Sequence, residues 1–147
     1  MEAVPRRTLA AISALADLAN FDPRSVRLGI RRDLGARAFR IDCTTQCAVV
    51  GGDTDALIDG FGRLLRARSL ENFAVRHNAS DELWRLRGHQ ITLAHHASQF
   101  RTWAEFRQFA LALRAFGTNQ LEAAHLDGLS PADFDDALRN FSSAVDA

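Results

Sequence analysis

Cys43 and Cys47 are the only cysteines of the chain, and five histidines accompany them: His77, His89, His95, His96 and His125. Thiolate sulfur and imidazole nitrogen are ligands that zinc prefers, and a structural zinc site needs about four of them converging as a tetrahedron. Cys43 and Cys47 with two of His77, His89, His95 and His96 would supply that number. The three-residue gap between the cysteines is not the C-x-x-C of a zinc ribbon, however, and alternation along a strand turns His95 and His96 to opposite faces. The expectation is therefore two buried thiols and ordinary histidines, with no metal and no cofactor. A thiol paired with a histidine base is a second possible chemistry. Nothing in the sequence brings the two together or activates the sulfur.

Asp53, Asp55 and Asp59 invite a divalent-cation reading. Their spacing does not make a calcium loop, and capping of a following helix accounts for the first two. The sequence contains no G-x-S-x-G, no H-E-x-x-H, no phosphate-cradling loop and no dinucleotide fingerprint. Enzymatic activity is left open, with the balance toward none, and no catalytic residue is assigned.

All 18 basic side chains are arginine, and 18 acids balance them to a net charge of zero. No global field draws the chain to nucleic acid or to a membrane surface. The distribution is uneven. Residues 1–40 carry eight arginines against Glu2, Asp17, Asp22 and Asp33, while residues 121–147 carry six acids against Arg139 alone. A basic head and an acidic tail can attract within one molecule or between two copies.

The stretch from Ser25 to Cys43 has two readings. As strands, Val26, Leu28 and Ile30 alternate with Arg27, Gly29 and Arg31, and Phe39 and Ile41 with Arg40 and Asp42. Arg32-Asp33-Leu34-Gly35 would then turn a hairpin. As a helix, the run from Leu15 to Arg27 resembles the helix-turn-helix of many bacterial regulators. Asn20 stands at the turn, Asp22 as cap and Pro23 at the first helical position. That resemblance, over residues 15–32, implies a DNA-binding transcriptional regulator contacting nucleic acid through Arg24, Arg27 and Arg31. The strand reading is preferred, because Gly29 is costly inside a helix and little chain precedes Leu15 to build a supporting helix.

Other elements follow from periodicity and caps. Residues 6–20 read as a helix. Cys47–Gly52 reads as a third strand, and Asp53-Thr54-Asp55 opens a helix to about Ser69, capped by Asp53 or Thr54, with Leu57, Phe61, Leu64 and Leu65 buried. Gly60 and Gly62 on its back suit close approach of another backbone. Asn72–His77 reads as a strand and Asn78–Asp81 as a turn; Leu83–Leu86 and Gln90–His95 read as one or two more strands, broken near Gly88. Thr102-Trp103-Ala104-Glu105 is a capping box, and its helix runs to Phe116 and stops at Gly117. A short helix is expected near Asn119–Leu126. Ser130-Pro131 begins a last one, with Phe134, Leu138 and Phe141 on one stripe.

The expected class is α+β: an antiparallel sheet of about five strands with an N-terminal helix, a middle helix and two to three C-terminal helices. The chain reads as one domain, 1–147, divided into an N-terminal helix (1–20), the sheet with its middle helix (25–96) and the C-terminal helices (102–147). By element order alone it is similar to bacterial type III secretion chaperones and to roadblock-type dimerisation domains. The expected function is a non-enzymatic protein–protein interaction: a bacterial or phage adaptor, inhibitor or secretion-chaperone-like protein, acting by surface complementarity as a homodimer. Trp103, Phe106, Phe109 and Phe116 cover so much of one helix that they are the expected interface. Arg6-Arg7 ahead of a short apolar run faintly resembles a twin-arginine signal. The run is too short and Asp17 follows at once, so an amphipathic helix and a cytoplasmic protein are expected, with no membrane partner.

Overall fold

The computed structural model describes residues 2–70, 76–79, 88–92, 102–118, 120–124 and 129–145. In order these form helix α1 (Arg6–Leu18), strands β1 (Val26–Ile30), β2 (Phe39–Cys43) and β3 (Cys47–Gly51), helix α2 (Thr54–Leu70), strands β4 (Arg76–Ala79) and β5 (Gly88–Thr92), helix α3 (Trp103–Ala115), strand β6 (Gln120–Ala124) and helix α4 (Pro131–Val145). The class is α+β.

The ambiguous stretch is extended. α1 gives way to Asn20 in the left-handed region, φ 49°, which Asn tolerates better than most residues. The Asp22 carboxylate accepts the Arg24 N–H at 3.0 Å, with Pro23 at the first position. These helix-start signals are real, but they yield a single 3₁₀ turn, Pro23–Ser25. From Val26 the period-two pattern takes over: Val26 and Ile30 are buried, Leu28 is partly buried and Arg27 is exposed. Burying that face and completing a hydrogen-bonded ladder outweighs the local start signal. No recognition helix forms over residues 22–32, which corrects the helix-turn-helix reading. Arg24 sits on the 3₁₀ turn, Arg27 on β1 and Arg31 just past its end.

The sheet is small and mixed, not five antiparallel strands. Its order is β1-β3-β2, with β4 along the far side of β2. The tight hairpin joins β2 to β3 through Thr44-Thr45-Gln46, so Ile41 faces Val49 and Cys43 faces Cys47. β1 does not form a hairpin with β2. It pairs in parallel with β3, Leu28 opposite Val49. β3 carries Val49 and Val50 on its two faces and suits the middle of a sheet, whereas β1 with Arg27 and Gly29 suits an edge. Residues 31–38 are long enough to carry the chain past β3's place.

α2 is the centre of the core. Asp53 caps it by accepting the Ala56 N–H at 2.7 Å. Ala56, Leu57, Ile58, Phe61, Leu64, Leu65 and Ala67 are all buried. Its sheet side meets Phe39, Ile41 and Val49, and its other sides meet α1, through Ile12, Leu15 and Ala16, and α3. Each large side chain here contributes about 1.5–3 kcal/mol of burial. Gly62 lets α3 come close: a Cβ there would stand 2.6 Å from the Ala115 carbonyl oxygen.

α3 begins as the capping box predicts, with Thr102 Oγ1 accepting the Glu105 N–H at 3.2 Å, and ends before Gly117 at φ 88°. It is not buried all round. Phe106 and Ala110 are buried, Phe109, Leu111 and Leu113 partly so. α3 is the crossover between β5 and β6, which pair in parallel with His89 opposite Leu121. Parallel strands need such a crossover. The short helix expected near Asn119–Leu126 is thus corrected to strand β6, where Leu121 and Ala123 alternate with Gln120 and Glu122. α4 starts at Ser130, whose Oγ accepts the Asp133 N–H at 3.2 Å. Its anchors are Ala137, buried, and Phe141, whose ring lies 5.6 Å from that of Phe106.

Of the later strand expectations, residues 76–77 fall in β4 and 90–92 in β5. Residues 78–79, expected to turn, lie in β4. The segments 72–75, 80–87 and 93–95 lie outside the described residues.

Candidate functional site

The two cysteines meet. They occupy facing positions at the end of the β2–β3 hairpin, with Cα atoms 4.0 Å apart, and are joined as a disulfide. This corrects the expectation of two separate thiols, and in this state neither sulfur is a thiolate for a metal or a substrate. A link closing so short a loop gains about 2 kcal/mol at most from chain entropy. Both cysteines border a half-open cleft of about 350 Å³ with Ser25, Thr44, Thr45, Gln46, Leu64 and Arg68. Sequence spacing alone did not point to the pairing. The signal was there in the strands flanking it, since two apolar runs separated by Thr44-Thr45-Gln46 place positions 43 and 47 opposite each other.

His77 lies on β4 opposite Ile41, and His89 on β5. His95, His96 and His125 lie outside the described residues. Among the described residues no group of three or more histidines, cysteines and carboxylates is placed to hold a metal ion.

The three aspartates divide their work. Asp53 caps α2 with one oxygen and with the other accepts the Arg37 N–H at 3.1 Å, fastening the 35–38 loop to the helix start. Asp55 and Asp59 both take Arg114, at 3.2 and 2.6 Å. A guanidinium therefore fills the place a cation would have taken.

Among the described residues, four of the eight arginines in the first 40 positions are in ion pairs, Arg40 with Asp42 at 3.8 Å among them. Asp22 holds Arg24 at 3.0 Å, Asp33 holds Arg31, and Glu2 holds Arg32 at 2.9 Å. The Arg24 hydrogen bond keeps the Asp22 carboxyl below its ordinary pKa, and the Arg31 hydrogen bond does the same for Asp33. Arg6, Arg7, Arg27 and Arg37 are exposed and without an ion pair among the described residues.

The expected interface residues of α3 part company. Phe106 is 1% exposed and belongs to the chain's own core. Phe109 is partly buried, and the backbone of Trp103 starts the helix. Phe116, at the far end, is 66% exposed. The guanidinium of Arg66 lies 5.2 Å over its ring while donating to the Ala115 carbonyl. Burial pushes Arg66 below the ordinary guanidinium pKa, with Arg63 nearby adding to it. On α4, Phe134 and Leu138 are 37% and 53% exposed, one turn apart, although Phe141 on the same stripe packs inward. The stripe read from sequence is therefore split: half anchors the helix and half faces outward.

Among the described residues no helix is long and apolar enough to cross a membrane. In comparison with known proteins, no protein-family model matches the chain and no curated protein is significantly similar to it in sequence.

Proposed function

We propose that the protein is a non-enzymatic interaction module, adaptor-, inhibitor- or secretion-chaperone-like, that works by surface complementarity and pairs first with a second copy of itself. The observation that carries this reading is the outward half of the α4 stripe. Phe134 and Leu138 stand at i and i+4 with part of each side chain open to solvent, while Ala137 and Phe141 hold the helix to α3. Two large apolar side chains one turn apart make a helix-face anchor of the kind a groove receives. Phe116 is a further anchor at the end of α3.

Charge supports a second copy as the partner. Asp135 is exposed on α4, whereas Arg6, Arg7, Arg27 and Arg37 are unpaired at the other end of the chain among the described residues. An acidic helix and a basic head steer two copies together. The proposed compartment is the cytoplasm. Light scattering of the full chain at high micromolar concentration tests the reading: twice the chain mass is expected, and a mass that stays at one chain removes the dimer.

A further inference from the structure

We infer that the Cys43–Cys47 disulfide is a thiol-exchange centre whose co-substrate is a small thiol bearing a carboxylate. Three observations on the hairpin tip lead there. First, the bond joins residues that the β2–β3 ladder already holds opposite each other, Ile41 against Val49 and Asp42 against Ala48. The hairpin's place depends on the burial of Phe39, Ile41 and Val49 under α2, not on the sulfur link. Both the disulfide and the dithiol are therefore compatible with the same fold, and the ladder keeps the two thiols in position to close again. A disulfide that fastens distant segments has no such freedom.

Second, neither cysteine is fully buried, and both border the same cleft of about 350 Å³. That is within the size range of small-molecule sites. Its lining is largely polar, with Thr44, Thr45, Gln46 and Ser25, whose hydroxyl donates to the Asp22 carbonyl at 2.7 Å. Third, Arg68 lines that cleft from α2. Its guanidinium lies 5.2 Å over the Phe21 ring, and no carboxylate pairs with it among the described residues. A cation lining the cleft that both cysteines border would favour thiolate over thiol there. It also attracts an anionic co-substrate.

The exchange balances as follows. The thiolate of the small thiol attacks one cysteine sulfur, the Cys43–Cys47 bond breaks, and the other sulfur leaves as a thiolate in the cleft that Arg68 also lines. The product is a mixed disulfide. A second molecule of the thiol, also as thiolate, attacks the sulfur of the bound one. This releases the small disulfide, and the cysteine sulfur that carried it leaves as a thiolate; the two cysteine thiolates then take up the two protons that the small thiols gave to solvent on ionising. Two small thiols are oxidised and one protein disulfide is reduced; the reverse sequence closes it again.

Glutathione is the probe. The native full chain is incubated in graded mixtures of reduced and oxidised glutathione, quenched in acid and weighed by mass spectrometry, with circular dichroism recorded alongside. The expected result is a mixed-disulfide adduct on Cys43 or Cys47 and a reversible gain of two thiols with the fold unchanged. In Arg68→Gln both rates fall, because the leaving thiolate loses its cation, and the rate with glutathione falls about fivefold further than the rate with neutral 2-mercaptoethanol, because only glutathione also loses the attraction of its carboxylate. A disulfide that opens only when the chain is denatured would overturn the inference, as would unfolding on reduction. An equal response of the two thiols to Arg68→Gln would remove the role of the carboxylate. For the unsubstituted chain, cysteamine, which is cationic, must react more slowly than glutathione after correction for thiolate content; the opposite order also overturns it.

Discussion

Arg114 of α3 reaches Asp59 of α2 with Nη1 2.6 Å from Oδ1, and the two side chains are only 21% and 13% exposed. The same guanidinium meets Asp55 at 3.2 Å. One residue thus bolts the crossover helix to the central helix, close to where Gly62 lets their backbones touch. Removing Arg114 takes the nearest cation from the largely buried Asp59 carboxylate. Arg114→Ala should cost about 2–3 kcal/mol in urea unfolding, less than a fully buried pair because solvent still reaches both groups. Asp55→Ala, at a 76% exposed carboxylate, should cost less than about 1 kcal/mol.

Gly62 gives a prediction whose sign opposes helix propensity. In an exposed helix interior, Gly→Ala adds about 1 kcal/mol of stability. Here the new Cβ would stand 2.6 Å from the Ala115 carbonyl oxygen and 2.9 Å from its Cα, both backbone. Gly62→Ala should therefore lower stability by about 1–3 kcal/mol, because α3 must move outward. Urea midpoints of the two proteins decide it.

The hairpin should survive without its sulfur link. The double variant Cys43→Ser, Cys47→Ser is expected to keep the native circular dichroism spectrum and to lose about 2 kcal/mol or less, the entropy of a very short closed loop. A collapse of the spectrum would mean that the link, rather than the burial of Ile41 and Val49, holds the hairpin.

Much of this architecture was legible in the residues. Caps marked α2, α3 and α4 correctly, because Asp53, Thr102 and Ser130 act through local hydrogen bonds that the sequence itself contains. The inward face of β1 and β2 was legible because alternation is also local. Strand partners were not. That β1 lies beside β3 and in parallel depends on which strand takes the middle of the sheet, a choice made by the whole core. The segment 120–124 read as helix for the same reason: its partner, β5, lies nearly thirty residues earlier, at Gly88–Thr92. At the candidate sites, the Asp55–Asp59–Arg114 cluster was only half visible, since the arginine comes from another helix. The outward half of the α4 stripe was invisible, because an apolar periodicity says which residues share a face and not what covers them.

The start of β1 carries a pH signature. Asp22 titrates below its ordinary value because the charged form accepts hydrogen bonds from Arg24. Its folded pKa is depressed, so its contribution is present above the ordinary carboxylate value and is lost as pH falls through the lowered one. Asp22→Asn preserves a cap acceptor and removes the charge. The melting temperature of the variant should lie slightly below that of the parent at neutral pH, and the gap should close in acid and shrink in high salt. A gap that widens on acidification would contradict the assignment.

The outward face of α4 is tested most directly by sedimentation equilibrium of the full chain and of Phe134→Ser with Leu138→Ser, over a concentration series reaching high micromolar. Leu138 is 53% and Phe134 37% exposed, so the variant should keep its circular dichroism spectrum and melt at most a few degrees below the parent. The parent is expected to dimerise reversibly, and the variant to need at least about tenfold more protein for the same dimer fraction, as loss of two interface anchors implies. A parent that stays at the mass of one chain throughout, or a variant that dimerises as well as the parent, would contradict the proposed self-association through this helix.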